Sequence, residues 1–190
     1  MTQPSDPWQS TPFPQNGDVH DIATYAGVGR VLSQWEEVEV HLSAIYTILT
    51  GKPGDVDAFR EYGVGRIFTE RVKIFESAVN SFFILHPNQR LEGDIHDLLR
   101  GIKRLSDKRN EVAHGIVRPI QWLRARRSDD PAGGQFVLVP SHYNKRKFTK
   151  RTLPDYAYTS VELHSLEMDL FDVRKALDEY DLALRVVLNL

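Results

Sequence analysis

Two long stretches of this chain repeat apolar residues at alternating intervals of three and four. No other feature limits the fold so strongly. The first stretch is Val28, Val31, Trp35, Val38, Leu42, Ile45 and Leu49. The second is Leu163, Leu166, Leu170, Val173, Leu177, Tyr180, Leu184 and Val187. This spacing keeps every side chain of a set on one face of an α-helix, whereas a strand would scatter them over both faces. It predicts long helices over 18–50 and 160–189. Gly51 and Pro53 end the first, and Gly27 and Gly29 are expected to bend or shorten its first half. Thr159 or Ser160 caps the second, with Glu162 three residues after Thr159 as in a capping box.

Two more helices lie between them. Phe68, Val72, Phe75, Val79 and Phe82 predict a helix over 64–85, stopped by His86-Pro87-Asn88 because proline disfavours helical geometry in the residue before it. Leu91, Ile95, Leu98, Ile102, Leu105, Arg109 and Val112 predict another over 89–114, stopped by Gly115. A short polar helix is expected over Asp55–Glu61. The helical rhythm breaks between the third and fourth long helices. Ile116-Val117, Ile120-Gln121-Trp122-Leu123 and Phe136-Val137-Leu138-Val139 read as strands, with Asp129-Asp130-Pro131 and Gly133-Gly134 as turn material and a short strand near Tyr156–Tyr158.

The expected fold class is therefore mainly α: a four-helix up-and-down bundle with a basic β-hairpin insertion between the third and fourth long helices. Each stripe leaves water for a gain of about 25 cal/mol per Å². Residues 18–190 form a single domain on this reading, with 116–158 as the insertion, and 1–17 form a flexible N-terminal arm. Trp8 and Phe13 offer that arm anchors on the body. A leftover apolar face on the first or last helix is available to a second copy.

The chain of 190 residues has no cysteine, which excludes disulfides, thiolate zinc sites and a cysteine nucleophile. No apolar run approaches the ~20 residues of a membrane span, and the first residues lack the basic start and apolar core of a signal peptide. The expected location is the cytoplasm, with no membrane partner. The net charge of −2 conceals an asymmetry. Arg118, Arg124, Arg126, Arg127, Lys145, Arg146, Lys147, Lys150 and Arg151 fall in one block whose only acids are Asp129 and Asp130. Two readings fit it. Trp122, Phe136, Tyr143 and Phe148 are interleaved with the cations and suit base stacking, which makes Arg118, Arg124, Arg126, Lys145, Arg146 and Lys147 candidate RNA contacts. The same charges also suit a hairpin edge protected against aggregation.

Several motifs carry no chemistry. Gly27-Val28-Gly29 and Gly63-Val64-Gly65 lack the third glycine of a dinucleotide loop and follow no strand. Glu111-x-x-His114 has di-iron spacing, but none of the other six histidines has an acid three residues before it, so no metal and no cofactor are expected. Glu36, Glu37 and Glu39 read as a solvated flank of the first helix, although Glu36 and Glu39 border its stripe and are placed to partner a buried arginine.

The stretch Ser106-Asp107-Lys108-Arg109-Asn110-Glu111-Val112-Ala113-His114-Gly115 is different. Arg109 occupies a stripe position that calls for an aliphatic residue. Asn110 and His114 are four apart and share a face. His114 falls in the last turn, where unpaired carbonyls attract cations. An arginine can fork two phosphate oxygens, and an imidazole can move a proton near neutrality. Together they suit phosphodiester cleavage without metal.

Arg109-Asn110-x3-His114 at the end of a bundle helix resembles the Arg-x4–6-His signature of the HEPN (higher eukaryotes and prokaryotes nucleotide-binding) domain family. The long first helix, the bundle plan and the final helix fit as well, so the resemblance covers residues 18–190; the basic insertion departs from the minimal bundle. The resemblance implies a metal-independent endoribonuclease acting as a homodimer, with two motif copies facing across the interface. It makes His114 the general base or acid for attack by the ribose 2′-OH, Arg109 the stabiliser of the phosphorane charge, and Asn110 an orienting group. The products would be a 2′,3′-cyclic phosphate and a 5′-OH. It also implies a toxin or phage-defence setting, with an antitoxin or nucleotidyltransferase partner. Other members of the family have lost catalysis and serve as nucleic-acid, nucleotide or protein-interaction modules, which is the alternative function. A bundle whose only task is association is a third.

Overall fold

The computed structural model describes residues 16–120, 135–141, 148–149 and 153–190. In chain order these form α1 (Asp21–Leu49), α2 (Val56–Gly63), α3 (Phe68–Leu85), α4 (Gln89–Ala113), β1 (Gly115–Pro119), β2 (Phe136–Pro140), β3 (Phe148–Thr149), β4 (Leu153–Pro154) and α5 (Ser160–Leu188). The protein is thus mainly helical, with an antiparallel hairpin between the last two long helices. Trp8, Phe13 and most of the expected arm lie outside the described residues, as do residues 121–123 of the strand expected over Ile120–Leu123, whose first residue, Ile120, is helical rather than extended. The described chain divides into two compact units: one drawn from Met1–Leu32 and Arg109–Glu167, the other from Ser33–Lys108 and Met168–Leu190.

The first unit is organised by β2. β1 pairs with it in the register Ile116↔Val139, Val117↔Leu138 and Arg118↔Val137. Tyr158 makes the outer bridge on Leu138, where backbone bonds of 2.8 and 2.9 Å run in both directions. The short strand expected near Tyr156–Tyr158 is therefore a single bridge. Asp18 forms the equivalent bridge on Phe136. Ile120, Val137, Val139 and Ala157 make a small apolar core with Ile116 against it. β3 and β4 form a separate two-residue pairing that the periodicity did not predict.

The start of α5 carries a double cap. Glu162 accepts from the Thr159 backbone N–H at 2.8 Å and from its hydroxyl, while Thr159 Oγ1 accepts from Val161 N–H at 3.2 Å. This is a close variant of the capping box and satisfies N–H groups that have no partner within the helix. The Asp18 carboxylate adds a second cap, accepting from Ser160 N–H at 2.8 Å, Ser160 Oγ at 2.6 Å and Thr24 Oγ1 at 2.6 Å. Both candidate capping residues are thus used.

One expectation fails in α1. The helix runs unbroken from Asp21 to Leu49, so Gly27 and Gly29 do not interrupt it. Gly27 is buried because a Cβ there would stand 3.0 Å from Leu163 Cβ and Cδ1. Its lack of a side chain lets α1 and α5 approach closely, which offsets its poor helix propensity.

In the second unit Val31's successors Trp35, Val38, Leu42, Ile45 and Leu49 are all buried. Trp35 meets Phe68 of α3 edge-on, with ring centroids 4.8 Å apart. Lys103 of α4 pairs with Glu76 of α3 at 2.6 Å, and His41 of α1 with Asp178 of α5 at 2.8 Å. α3 begins at Phe68 rather than at residue 64, because the Gly63-Val64-Gly65 turn wraps against it; a Cβ on Gly65 would lie 2.7 Å from Arg71 N. In α4 the buried positions are Leu91, Ile95, Leu99, Ile102 and Ser106, with Leu98 and Leu105 only half-buried. Steps of four, four, three and four follow a straight helix of 3.6 residues per turn, whereas the expected 3,4 alternation belongs to a supercoiled seam. At the far end of α5, Val187 is exposed rather than part of the buried stripe.

The acidic cluster on α1 resolves into one buried and two exposed members. Glu36 and Glu37 face solvent. Glu39 is only 7% exposed and takes a forked pair of bonds from Arg71, Nη2 to Oε1 at 2.7 Å and Nε to Oε2 at 2.9 Å. Tyr62 O–H donates to the same Oε2 at 2.9 Å, and Arg71 Nη1 donates to the Gly65 carbonyl at 3.0 Å. Burial, then the neighbouring carboxylate, push the Tyr62 phenol well above its usual pKa, so it stays a donor. The arginine that Glu39 meets is Arg71, which is half-buried rather than buried.

Candidate functional site

The stretch singled out in the sequence closes α4. Val112 is buried and fixes the rotation of the last turn. Arg109, three residues earlier, shares that inward side and is half-buried, with its Nε shielded from solvent. Asn110 and His114 are exposed. His114 N–H donates to the Asn110 carbonyl at 3.1 Å, so helical geometry reaches His114 and stacks its side chain one turn above Asn110. The structure thus places an amide and an imidazole together on an accessible helix end. The arginine of the same turn points toward the interior.

Helix ends leave carbonyls without partners, and here side chains supply them. Tyr156 O–H donates to the Glu111 carbonyl at 2.9 Å, and Ser141 Oγ donates to the His114 carbonyl at 3.1 Å. Tyr158 O–H donates to the Glu111 carboxylate. The two tyrosine rings stack, with centroids 5.2 Å apart and planes 17° from parallel. Burial first, and then its bond to Glu111, push the Tyr158 phenol far above its usual pKa, so it remains a donor. Gly115 completes the turn into β1, where a Cβ would stand 2.8 Å from Leu138 Cδ1.

Glu111, Tyr156, Tyr158 and Ser141 were not among the sequence candidates. The available signal was Tyr-Ala-Tyr before the capping residues of α5. Two residues apart on an extended segment, both rings project from one face. Nothing in the sequence said that this face meets the end of α4. Tyr158→Phe leaves the half-buried Glu111 carboxylate short of one donor and is expected to cost about 1–2 kcal/mol. Urea unfolding measures it; a midpoint unchanged from wild type would show that the clamp carries no load.

Of the candidate RNA contacts, Arg118 lies exposed on β1 opposite Val137. Arg124, Arg126, Lys145, Arg146 and Lys147 lie outside the described residues, as do Trp122 and Tyr143. Among the described residues no three of His, Asp and Glu gather as a metal-binding group, and no helix is long and apolar enough to cross a membrane. Comparison with family models gives no match, nor does comparison with curated proteins or with solved structures.

What the arrangement offers chemically is limited and specific. The exposed imidazole of His114 is accessible to a substrate proton, with the Asn110 amide one turn below to hold an oxygen. The half-buried Arg109 carries a permanent charge on the inward side of the same turn.

Proposed function

We propose that the chain is a cytoplasmic, metal-independent endoribonuclease of HEPN type, acting as a homodimer. His114 takes the proton of the ribose 2′-OH or returns one to the leaving 5′ oxygen. Arg109 stabilises the charge that accumulates on the phosphorane, and Asn110 orients the phosphodiester. The basic block around the hairpin guides RNA to the site. The proposal extends to a toxin or phage-defence role with an antitoxin or nucleotidyltransferase partner.

The observation that carries this reading is the exposure of His114 and Asn110 on one clamped helix end whose inward stripe carries a single charged residue, Arg109. Incubating RNA with wild type and with His114→Ala in the presence of EDTA tests it. Cleavage by wild type alone is the expected result. Equal cleavage by both proteins, or loss of the wild-type reaction in EDTA, refutes it.

One observation favours the alternative, a catalytically inactive binding or protein-interaction module. Arg109 is turned inward with its Nε shielded, as suits an arginine that holds the helix end in place. That reading predicts RNA binding without cleavage, and no growth arrest on induction for Arg109→Ala to relieve.

A further inference from the structure

The end of α1, one face of α3 and the end of α5 line a groove of ≈ 910 Å³ within the second unit. Along α3 the groove runs from Lys73 to Leu85, about 18 Å at the rise of a helix. Ser77, Ala78 and Ser81 occupy the middle of that run, and their small side chains leave a trough between Ile74 and Phe82. Ile48 and Leu49 of α1 add apolar wall, and so do Leu188 and Leu190. Asn189 adopts a φ of 55° and Leu190 N–H donates to the Arg185 carbonyl at 3.1 Å, a helix-ending turn that brings Leu190 back to the groove.

The groove is polarised along its length. Lys73 is the one permanently charged residue among those that line it, and none of them is acidic. Lys73 is exposed and forms no ion pair among the described residues. The acids nearest to it in α3 are engaged elsewhere: Glu76 pairs with Lys103 at 2.6 Å, and Glu70 accepts from the Arg66 backbone N–H at 2.8 Å. The Ser77 hydroxyl, one turn on from Lys73, shares its face and offers a further donor. At the other end α3 stops at Leu85, where its unpaired carbonyls disfavour an anion. There the His86 ring lies against Phe82, with centroids 4.7 Å apart, and extends the apolar wall.

This volume falls within the size range of small-molecule sites. Spread over the length of the trough it gives a channel roughly 8 Å across, narrower than a helix with its side chains. A slender apolar chain with a negative head matches both the shape and the charge. We propose that the groove binds a fatty-acid anion, its carboxylate on Lys73 and its alkyl chain along the trough towards Phe82 and Leu85. This site does not rest on the ribonuclease reading and stands whether or not the protein cuts RNA.

Titration calorimetry of the full chain with dodecanoate and octanoate, both below their micelle concentrations, tests it. Dodecanoate is expected to bind at one per chain. Octanoate, which buries four fewer methylenes, is expected to bind at least about tenfold more weakly. Dodecyltrimethylammonium, the same tail under the opposite charge, is also expected to bind at least about tenfold more weakly than dodecanoate. Lys73→Glu should weaken dodecanoate binding by a similar factor, and Ser81→Trp, which fills the trough, should abolish it. Both positions are exposed, so both variants should keep the wild-type helical spectrum. A wild type that binds no dodecanoate overturns the inference. So does binding that either variant leaves undiminished, or that the cationic surfactant matches. If dodecanoate fails to bind and light scattering finds two chains for wild type but one for Ser81→Trp, the groove belongs to a second copy and the inference falls.

Discussion

Arg71→Ala is expected to lower stability by about 3 kcal/mol, the low end for stripping one partner from a buried ion pair, because Glu39 is buried while Arg71 is half-buried. The Glu39 carboxylate would stay in a nearly dry site with only Tyr62 O–H donating to it, having lost two charge-assisted bonds of 2.7 and 2.9 Å. Arg71→Lys restores the charge but not the fork, and should recover only part of the loss. Arg71→Met combined with Glu39→Gln removes both charges and should cost less than Arg71→Ala alone, because no unpaired charge remains. Urea denaturation of the four proteins measures this. A loss under 1 kcal/mol for Arg71→Ala would mean that water reaches Glu39 and that the pair is an ordinary surface bridge.

His114→Ala carries the second large effect. A positioned general acid–base contributes about 10²–10⁴-fold to a reaction of this kind, so RNA cleavage should fall by that factor while the fold is kept. The fold should survive because the imidazole is exposed and the structural bonds at this residue are made by its backbone, which alanine also has. Arg109→Ala should reduce cleavage as strongly but should also destabilise, since its side chain is half-buried beside Val112. That contrast would separate the two proposed roles, His114 acting on the substrate and Arg109 both acting and packing. Arg109→Lys should keep more of the stability than of the rate, because an ammonium cannot fork two phosphate oxygens.

The helices were legible because their apolar periodicity is a local property. α1, α3, α4 and α5 lie within a few residues of where the stripes put them. The Thr159–Glu162 cap was legible for the same reason. What sequence spacing could not reveal was which faces meet. Gly27 reads locally as a weak point and proves to be a contact with Leu163, some 136 residues on. Glu39 borders an apolar stripe, but only the tertiary arrangement supplies Arg71 as its partner. The end of α4 was identified from Arg109, Asn110 and His114 alone. The tyrosines that hold it come from a segment more than forty residues later, and in sequence they look like strand residues. The hairpin was visible through its β-branched run, yet β2 also takes bridges from Asp18 and Tyr158, two isolated contacts with no periodic signal.

The central claim is that His114 and Arg109 drive attack by a ribose 2′ oxygen on its own phosphodiester. The chemistry of the cut ends tests it most directly. End-group analysis of a labelled RNA cleaved in EDTA should find a 2′,3′-cyclic phosphate on one fragment and a 5′-OH on the other, with no such fragments from His114→Ala. Fragments ending in a 3′-OH and a 5′-phosphate would contradict the claim, because an attack from within the ribose cannot produce them.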